Sequence, residues 1–255
     1  MILQTKQLTK RFGGLVAVKN VDFNIEERKV NAIIGPNGAG KSTFFNLITG
    51  VHRPSSGQIF YKGEDITHVP ANKVAELGLA RTFQTTNLFE MATVFDNVVV
   101  GHRLRTKSNL FDAIFRTKRL KEEEERCKQK ALEVLEFTEL SHIGHQLVAN
   151  ISQEEKKRVA FALALATEPE IVFLDEPTAG VNPDETESLA YLIKKMVNQG
   201  ITVCLIEHKM RMIMDLADHI MVLNYGEKIA EGTPSEINKN EEVIRAYLGG
   251  SGASA

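Results

Sequence analysis

Apolar positions along the chain follow two rhythms. Across residues 2–8 and through Val21-Asp22-Phe23-Asn24-Ile25 they alternate with polar ones, the period of strands with one buried and one wet face. Gly57-Gln58-Ile59-Phe60-Tyr61, entered through the turn Pro54-Ser55-Ser56-Gly57, predicts another strand of this kind. Together they predict an N-terminal antiparallel β subdomain. Residues 30–34, 79–83, 171–174, 202–206 and 220–223 are instead short, nearly unbroken apolar runs. Such runs, separated by helical stretches, predict strands buried on both faces of a largely parallel sheet. Between Thr93 and Thr167 the spacing is helical throughout, which predicts a helical subdomain, about residues 85–166, inserted into an α/β core. Its densely charged stretch from Lys118 to Lys130 (KRLKEEEERCKQK) reads as a solvated helix face, with Glu and Lys at helical spacing. The small-residue tail from Gly249 to Ala255 is expected to fray.

The bulk numbers narrow the classes. Apolar content of 43% and charged content of 25% in 255 residues are ordinary for a globular chain long enough to bury a sizeable core. A net charge of −2 argues against a broad nucleic-acid surface. No run of 18 apolar residues is present, and Met1-Ile2-Leu3-Gln4-Thr5-Lys6 lacks the layout of a signal peptide. Cys127 and Cys204 lie far apart without metal spacing, as packing or surface residues in a reducing compartment do. These features predict a cytosolic chain that reaches a membrane only through a partner.

The chemistry begins at Gly35-Pro36-Asn37-Gly38-Ala39-Gly40-Lys41-Ser42-Thr43, which fits G-x-x-x-x-G-K-[ST]. Glycines let successive N–H groups of such a loop, here through Asn37, Gly38, Ala39 and Gly40 to Thr43, turn toward phosphate oxygens. Lys41 is expected to reach the terminal phosphates and Ser42 to ligate Mg²⁺. The buried strand before the loop and the helix after it supply the required order, and the helix adds its positive dipole end. A second apolar run, Ile171-Val172-Phe173-Leu174, ends in Asp175-Glu176. Charged groups emerge into a crevice at the tip of such a strand. Asp175 is placed to hold Mg²⁺, and Glu176 to polarise an attacking water.

With these motifs in order, the chain resembles the nucleotide-binding subunits of ATP-binding-cassette (ABC) transporters, from about Leu3 to Leu248. The resemblance implies a single P-loop ABC-type ATPase domain over residues 1–255, with ATP and Mg²⁺ as ligands. It implies that Phe12 stacks on adenine, that Gln84 in Arg81-Thr82-Phe83-Gln84 senses Mg²⁺ and the attacking water, and that His208 in Leu205-Ile206-Glu207-His208 is a switch histidine at the γ-phosphate. Ala179-Gly180-Val181-Asn182-Pro183 is similar to the loop along the dimer interface. The residues between Gly101 and Phe137, and the ending Val243-Ile244-Arg245-Ala246-Tyr247-Leu248-Gly249, resemble ATPases of branched-chain amino-acid importers. That implies transmembrane permease subunits, a second ATPase chain, a solute-binding protein acting indirectly, and the cytoplasmic face of the membrane. A urea or lipid transporter ATPase, or a switch that binds ATP but barely hydrolyses it, are the alternatives. ABC ATPases of DNA or ribosomes usually carry two cassettes or coiled-coil arms, which this chain lacks.

One segment departs from the family. ABC ATPases pair head to tail, and each nucleotide is closed in by the other subunit's signature, usually Leu-Ser-Gly-Gly-Gln. Here the matching stretch is Ile151-Ser152-Gln153-Glu154-Glu155. Ser152 is kept as a phosphate contact, but Glu154 replaces a glycine that lets backbone approach phosphate. A carboxylate about 5 Å from a phosphate charge costs on the order of 3 kcal/mol at an effective dielectric of about 20, unless it swings into solvent. That is about a hundredfold in rate. A glutamate at a helix start nevertheless stabilises that helix. The spoiled site is the one on the partner's phosphate loop, so the expectation is a heterodimer with one competent and one degenerate site.

Overall fold

The computed structural model describes residues 1–82, 88–108 and 110–249. The chain opens with β1 (Leu3–Phe12), β2 (Leu15–Ile25) and β3 (Val30–Ile34), then α1 (Lys41–Ile48), β4 (Ser56–Tyr61), β5 (Glu64–Asp65), α2 (Ala71–Glu76) and β6 (Leu79–Thr82). A helical stretch follows, with α3 (Val94–His102), α4 (Leu110–Phe115), α5 (Lys118–Phe137) and α6 (Gln153–Ala166). The remainder is β7 (Ile171–Asp175), α7 (Pro183–Asn198), β8 (Thr202–Ile206), α8 (Met210–Leu216), β9 (His219–Asn224), β10 (Glu227–Gly232), α9 (Pro234–Asn238) and α10 (Glu241–Gly249).

Two sheets result, as the two rhythms predict. The alternating segments form an antiparallel sheet of order β2-β1-β4-β5. The apolar runs form the second sheet, β10-β9-β3-β8-β7-β6, parallel from β9 to β6 with β10 antiparallel at the edge. Every residue of β3, β7 and β8 is buried, which is why their sequences show no polar alternation.

Period-two geometry still sorts their side chains. Ile33, Phe173, Cys204 and Met221 face α1, through Phe44 and Phe45, and the antiparallel sheet, through Leu8, Val18 and Phe23. Ala32, Val172, Leu205 and Val222 face Phe161 of α6, Leu189 and Ile193 of α7, and Ile213 of α8. Both cysteines are buried free thiols, and burial pushes the Cys204 thiol far up.

The long helices carry their own start signals. Thr93 accepts from the Asp96 N–H at the head of α3, and Thr117 caps α5. Reciprocal capping boxes, Ser152 with Glu155 and Asn182 with Glu185, begin α6 and α7. The charged stretch 118–130 lies in α5, which buries Glu123, Cys127 and Ala131 on one side.

Phe173 is fully buried with its ring edge-on to Phe45 at 5.4 Å, between the central sheet and α1. Phe173→Ala is expected to lower stability by about 3–5 kcal/mol in urea unfolding. A loss under about 1 kcal/mol would mean that this interlayer core is not tightly packed.

Candidate functional site

Parallel neighbours end at the same edge of a sheet. β3 and β7 flank β8, so the loop after β3, the carboxylates after β7 and the turn after β8 meet at one place. There a cleft of 510 Å³ is lined by residues 15–17, residues 37–43, Glu176, His208, Tyr225 and Gly226.

The loop needs its glycines at two points. Gly35 has φ 149°, and a Cβ there would lie 2.0 Å from the Leu223 carbonyl oxygen. Gly40 has φ 98°, and a Cβ would lie 2.3 Å from the Ala17 carbonyl oxygen. Gly40 is also the cap of α1, which begins with no side-chain cap and no acidic residue in its first turn. Its first N–H groups and dipole therefore face the cleft without a capping side chain of their own helix. The Lys41 ammonium donates to the Gly35 and Pro36 carbonyls at 2.8 and 2.9 Å and is 6% exposed. Burial pulls its pKa down, against the opposing pull of Glu176 and Asp175.

Glu176 holds φ at 48°, a region that side chains rarely adopt, while its N–H donates to the Ile206 carbonyl at 2.9 Å. The Glu176 carboxylate lies 2.9 Å from the His208 imidazole Nε2. Behind them Glu207 is nearly fully buried. It accepts from the Thr178 N–H and hydroxyl with one oxygen, and from the His208 and Lys209 N–H groups with the other. This carboxylate ties the turn after β7 to the turn after β8, and so fixes the backbone that carries His208. Lys157 of α6 is buried near Glu207, Glu176 and Asp175, and burial lowers its pKa.

Asp175 does not line the cleft but lies under it, 4% exposed. One oxygen accepts from the Arg81 guanidinium at 2.9 Å. Arg81 also donates to Asn46 at 2.6 Å and to Thr49 at 3.2 Å, both on or just after α1. The other Asp175 oxygen is buried with no hydrogen-bond partner among the described residues. That orphaned anionic oxygen, like the exposed hydroxyl of Ser42 in the loop, fits a hard cation that takes few protein oxygens and several from water and phosphate, as Mg²⁺ does. Among the described residues no group of three His, Cys, Asp or Glu could form an all-protein metal cage.

The structure therefore brings together the residue 37–43 loop, Glu176 and His208, with Asp175 beneath. It does not bring Ser152 into this cleft. Phe12, 44% exposed, also stands outside the lining, edge-on to His52 at 5.6 Å with the Lys10 ammonium 5.0 Å from its ring. Its register partner Leu15 lines the cleft instead. Gln84 lies outside the described residues. Arg81, Glu207, Lys157 and Tyr225 were given no role by the sequence. Arg81 and Glu207 sit inside the motifs of Gln84 and His208, and only tertiary geometry shows what they hold.

At the signature the expectation needs correction. The Glu154 side chain does not project as an unpaired charge. It accepts from the Arg158 guanidinium, one helical turn on, and from the Ser188 hydroxyl of α7 at 3.1 Å, and is 14% exposed. Arg158 also donates to the Thr138 carbonyl and to Glu139, each at 3.0 Å. A paired carboxylate repels a distant phosphate far less than the isolated one assumed above. The bulk of a side chain in place of glycine remains.

Removing one partner of a buried ion pair strands the other charge. Arg81→Met is expected to cost about 3–5 kcal/mol of stability, and Arg81→Met with Asp175→Asn to recover part of that. Denaturant unfolding of the two single variants and the double variant measures this; additive losses would show that the pair is not coupled.

Comparison with known proteins places the site in context. The family model described as ABC transporter matches residues 18–179, and one described as branched-chain amino acid ATP-binding cassette transporter matches residues 227–253. The high-affinity branched-chain amino acid transport ATP-binding protein BraF of Pseudomonas aeruginosa is 40% identical, over 97% of this chain and 98% of its own. The probable branched-chain amino acid transport ATP-binding protein LivG of Archaeoglobus fulgidus is 34% identical, over 97% and 95%. A crystal structure of a nucleotide-free ATP-binding cassette from an ABC transporter superposes with a TM-score of 0.85 at 32% identity, covering 96% of this chain and 98% of that one. A dimeric post-hydrolysis cassette bound to ADP and Pi gives 0.76 at 26%, covering 91% and 99%.

Proposed function

Because the chain belongs to the ABC transporter family of ATP-binding proteins, we propose that it is the ATPase subunit of an importer of branched-chain or related amino acids. The observation that carries this reading is the cleft itself: an uncapped helix start and a buried lysine facing a carboxylate–histidine pair. Near-full-length likeness to BraF and LivG supports the choice of solute class. ABC ATPases bind nucleotide, act as dimers and work with transmembrane permeases. Among the described residues no helix is long and apolar enough to cross a membrane, which fits attachment through permease subunits at the cytoplasmic face. The helices between β6 and β7 form the arm that passes motion to them.

We assign the residues as follows. Backbone N–H groups of residues 37–43 and the Lys41 ammonium bind the phosphates of ATP. Phe12, beside the cleft through Leu15, takes the adenine. Ser42, Asp175 and Gln84 would hold Mg²⁺, which when bound supplies charge neutralisation at the phosphates. Glu176 orients and deprotonates the attacking water. His208, at hydrogen-bond distance, holds the Glu176 carboxylate in place and meets the γ-phosphate.

Ser152 and the start of α6 serve the partner's nucleotide. Glu154 obstructs that contact through bulk more than charge, so the two sites of the dimer differ. The second ATPase chain carries the intact signature, a solute-binding protein acts only through the permease, and nucleic acid has no part.

Steady-state ATPase of the purified chain tests this. The chain alone is expected to be slow in Mg²⁺ and inactive in EDTA. Glu154→Gly is expected to gain about tenfold or more, and Glu176→Gln to lose at least a hundredfold in that background. Fast hydrolysis by the wild-type chain alone would discard the asymmetric dimer.

A further inference from the structure

The helical stretch between β6 and β7 carries a feature that nucleotide chemistry does not use. On the short helix α4, Phe111, Ile114 and Phe115 are 62%, 67% and 63% exposed. The two rings pack on each other with centroids 4.4 Å apart, and Ile114 is exposed on the same helix. None of the three lines any of the four principal clefts. Large apolar side chains held together in water mark a contact surface.

The segment that carries them is basic as far as Lys121, and four glutamates follow at 122–125. Residues 103–121 hold seven Lys and Arg and a single acid, Asp112. Asp112 is 9% exposed, accepts from the Thr117 hydroxyl at 2.9 Å, and so adds little negative field. Arg105 is spent on the Thr167, Glu76 and Glu168 carbonyls. The other six, Arg103, Lys107, Arg116, Lys118, Arg119 and Lys121, are exposed. Of the carboxylates that follow on α5, Glu122 lies 3.6 Å from Lys118. Glu123 is buried, accepting from the Lys107 and Ser108 N–H groups and facing Arg119 at 3.5 Å. Glu124 and Glu125 are exposed one helical turn beyond Lys121, at the spacing where side chains on a helix meet, which leaves Arg103, Lys107 and Arg116 as the cations farthest from the acidic run.

We propose that α4 and its basic rim are a membrane-surface contact, with Phe111, Ile114 and Phe115 entering the headgroup region and the six exposed cations meeting anionic lipid phosphates. A cationic rim around exposed aromatic and aliphatic side chains is the chemistry of an interfacial segment. The contact would orient the arm against the bilayer independently of permease docking.

The full-length chain without permease is mixed with vesicles of phosphatidylcholine containing phosphatidylglycerol, or of phosphatidylcholine alone, and sedimented. Binding to the anionic vesicles alone is expected, falling as salt shortens the screening length. Phe111→Ser with Phe115→Ser should weaken it about tenfold or more, and Arg116→Gln with Lys118→Gln severalfold. These residues are exposed and outside the nucleotide cleft, so circular dichroism and ATP-analogue binding should be unchanged in every variant. Failure of the wild-type chain to bind anionic vesicles overturns the proposal, as does binding indifferent to both pairs of substitutions. Wild-type vesicle binding that is absent, with permease capture lost in the apolar variant, would assign the patch to a protein partner.

Discussion

A desolvated ammonium held by two carbonyls is the constraint on which the rest of the site depends. Lys41 is buried at the bottom of its own loop, and its bonds to the Gly35 and Pro36 carbonyls replace only part of its hydration. The loop can close this tightly because Gly35 and Gly40 leave no Cβ against the Leu223 and Ala17 carbonyls. The same closure places the open start of α1 beside the ammonium. Glu176 and Asp175 offset part of this field, and the Glu176 carboxylate is also engaged with His208. The folded chain thus holds a positive centre that a polyphosphate completes better than the protein does.

Two buried polar linkages keep that centre in register with Glu176 and His208. Arg81 joins Asp175 at the end of β7 to Asn46 and Thr49 at α1, and it lies on β6, the strand that leads toward Gln84. Glu207 joins Thr178 to the backbone of His208. Both are largely shielded from solvent, so displacement of one element strains another. Arg81 in this way connects α1 directly to the strand preceding the helical stretch.

Much of this was legible in the chain because two periodicities dominate it. Residues 30–34, 171–174 and 202–206 could be read as buried strands, since apolar residues dominate them with only Asn31 and Thr202 polar, and the loop and carboxylates stand at the ends such strands require. β10, at the sheet edge, was missed because its sequence, Glu227-Lys228-Ile229-Ala230-Glu231-Gly232, is half exposed and polar. β1 runs on to Phe12 beyond the predicted Leu8 because the Gly13-Gly14 pair closes a hairpin there, where Lys10 and Arg11 mask the alternation. The roles of Arg81 and Glu207 were not legible, since their partners are 94 and 29 residues away. Asp175 was read as open to the cleft, and only the packed structure shows it beneath, facing an arginine.

Glu154 shows the same gap between local and tertiary reading. Its spacing from Arg158 is visible in sequence, but the Ser188 hydroxyl is supplied by α7. Together these partners make the carboxylate a joint between two helices. Its charge is neutralised within the chain, and the capping box of Ser152 and Glu155 keeps the start of α6 intact. What changes is the smoothness of the surface that a partner's phosphate would approach, because a glycine there presents backbone and a glutamate presents its stem. The field at that helix start is preserved while its access is narrowed. Paired with a different ATPase chain, as proposed, the dimer would owe the asymmetry of its two sites to shape at one position, with the cleft that this chain builds for itself unchanged.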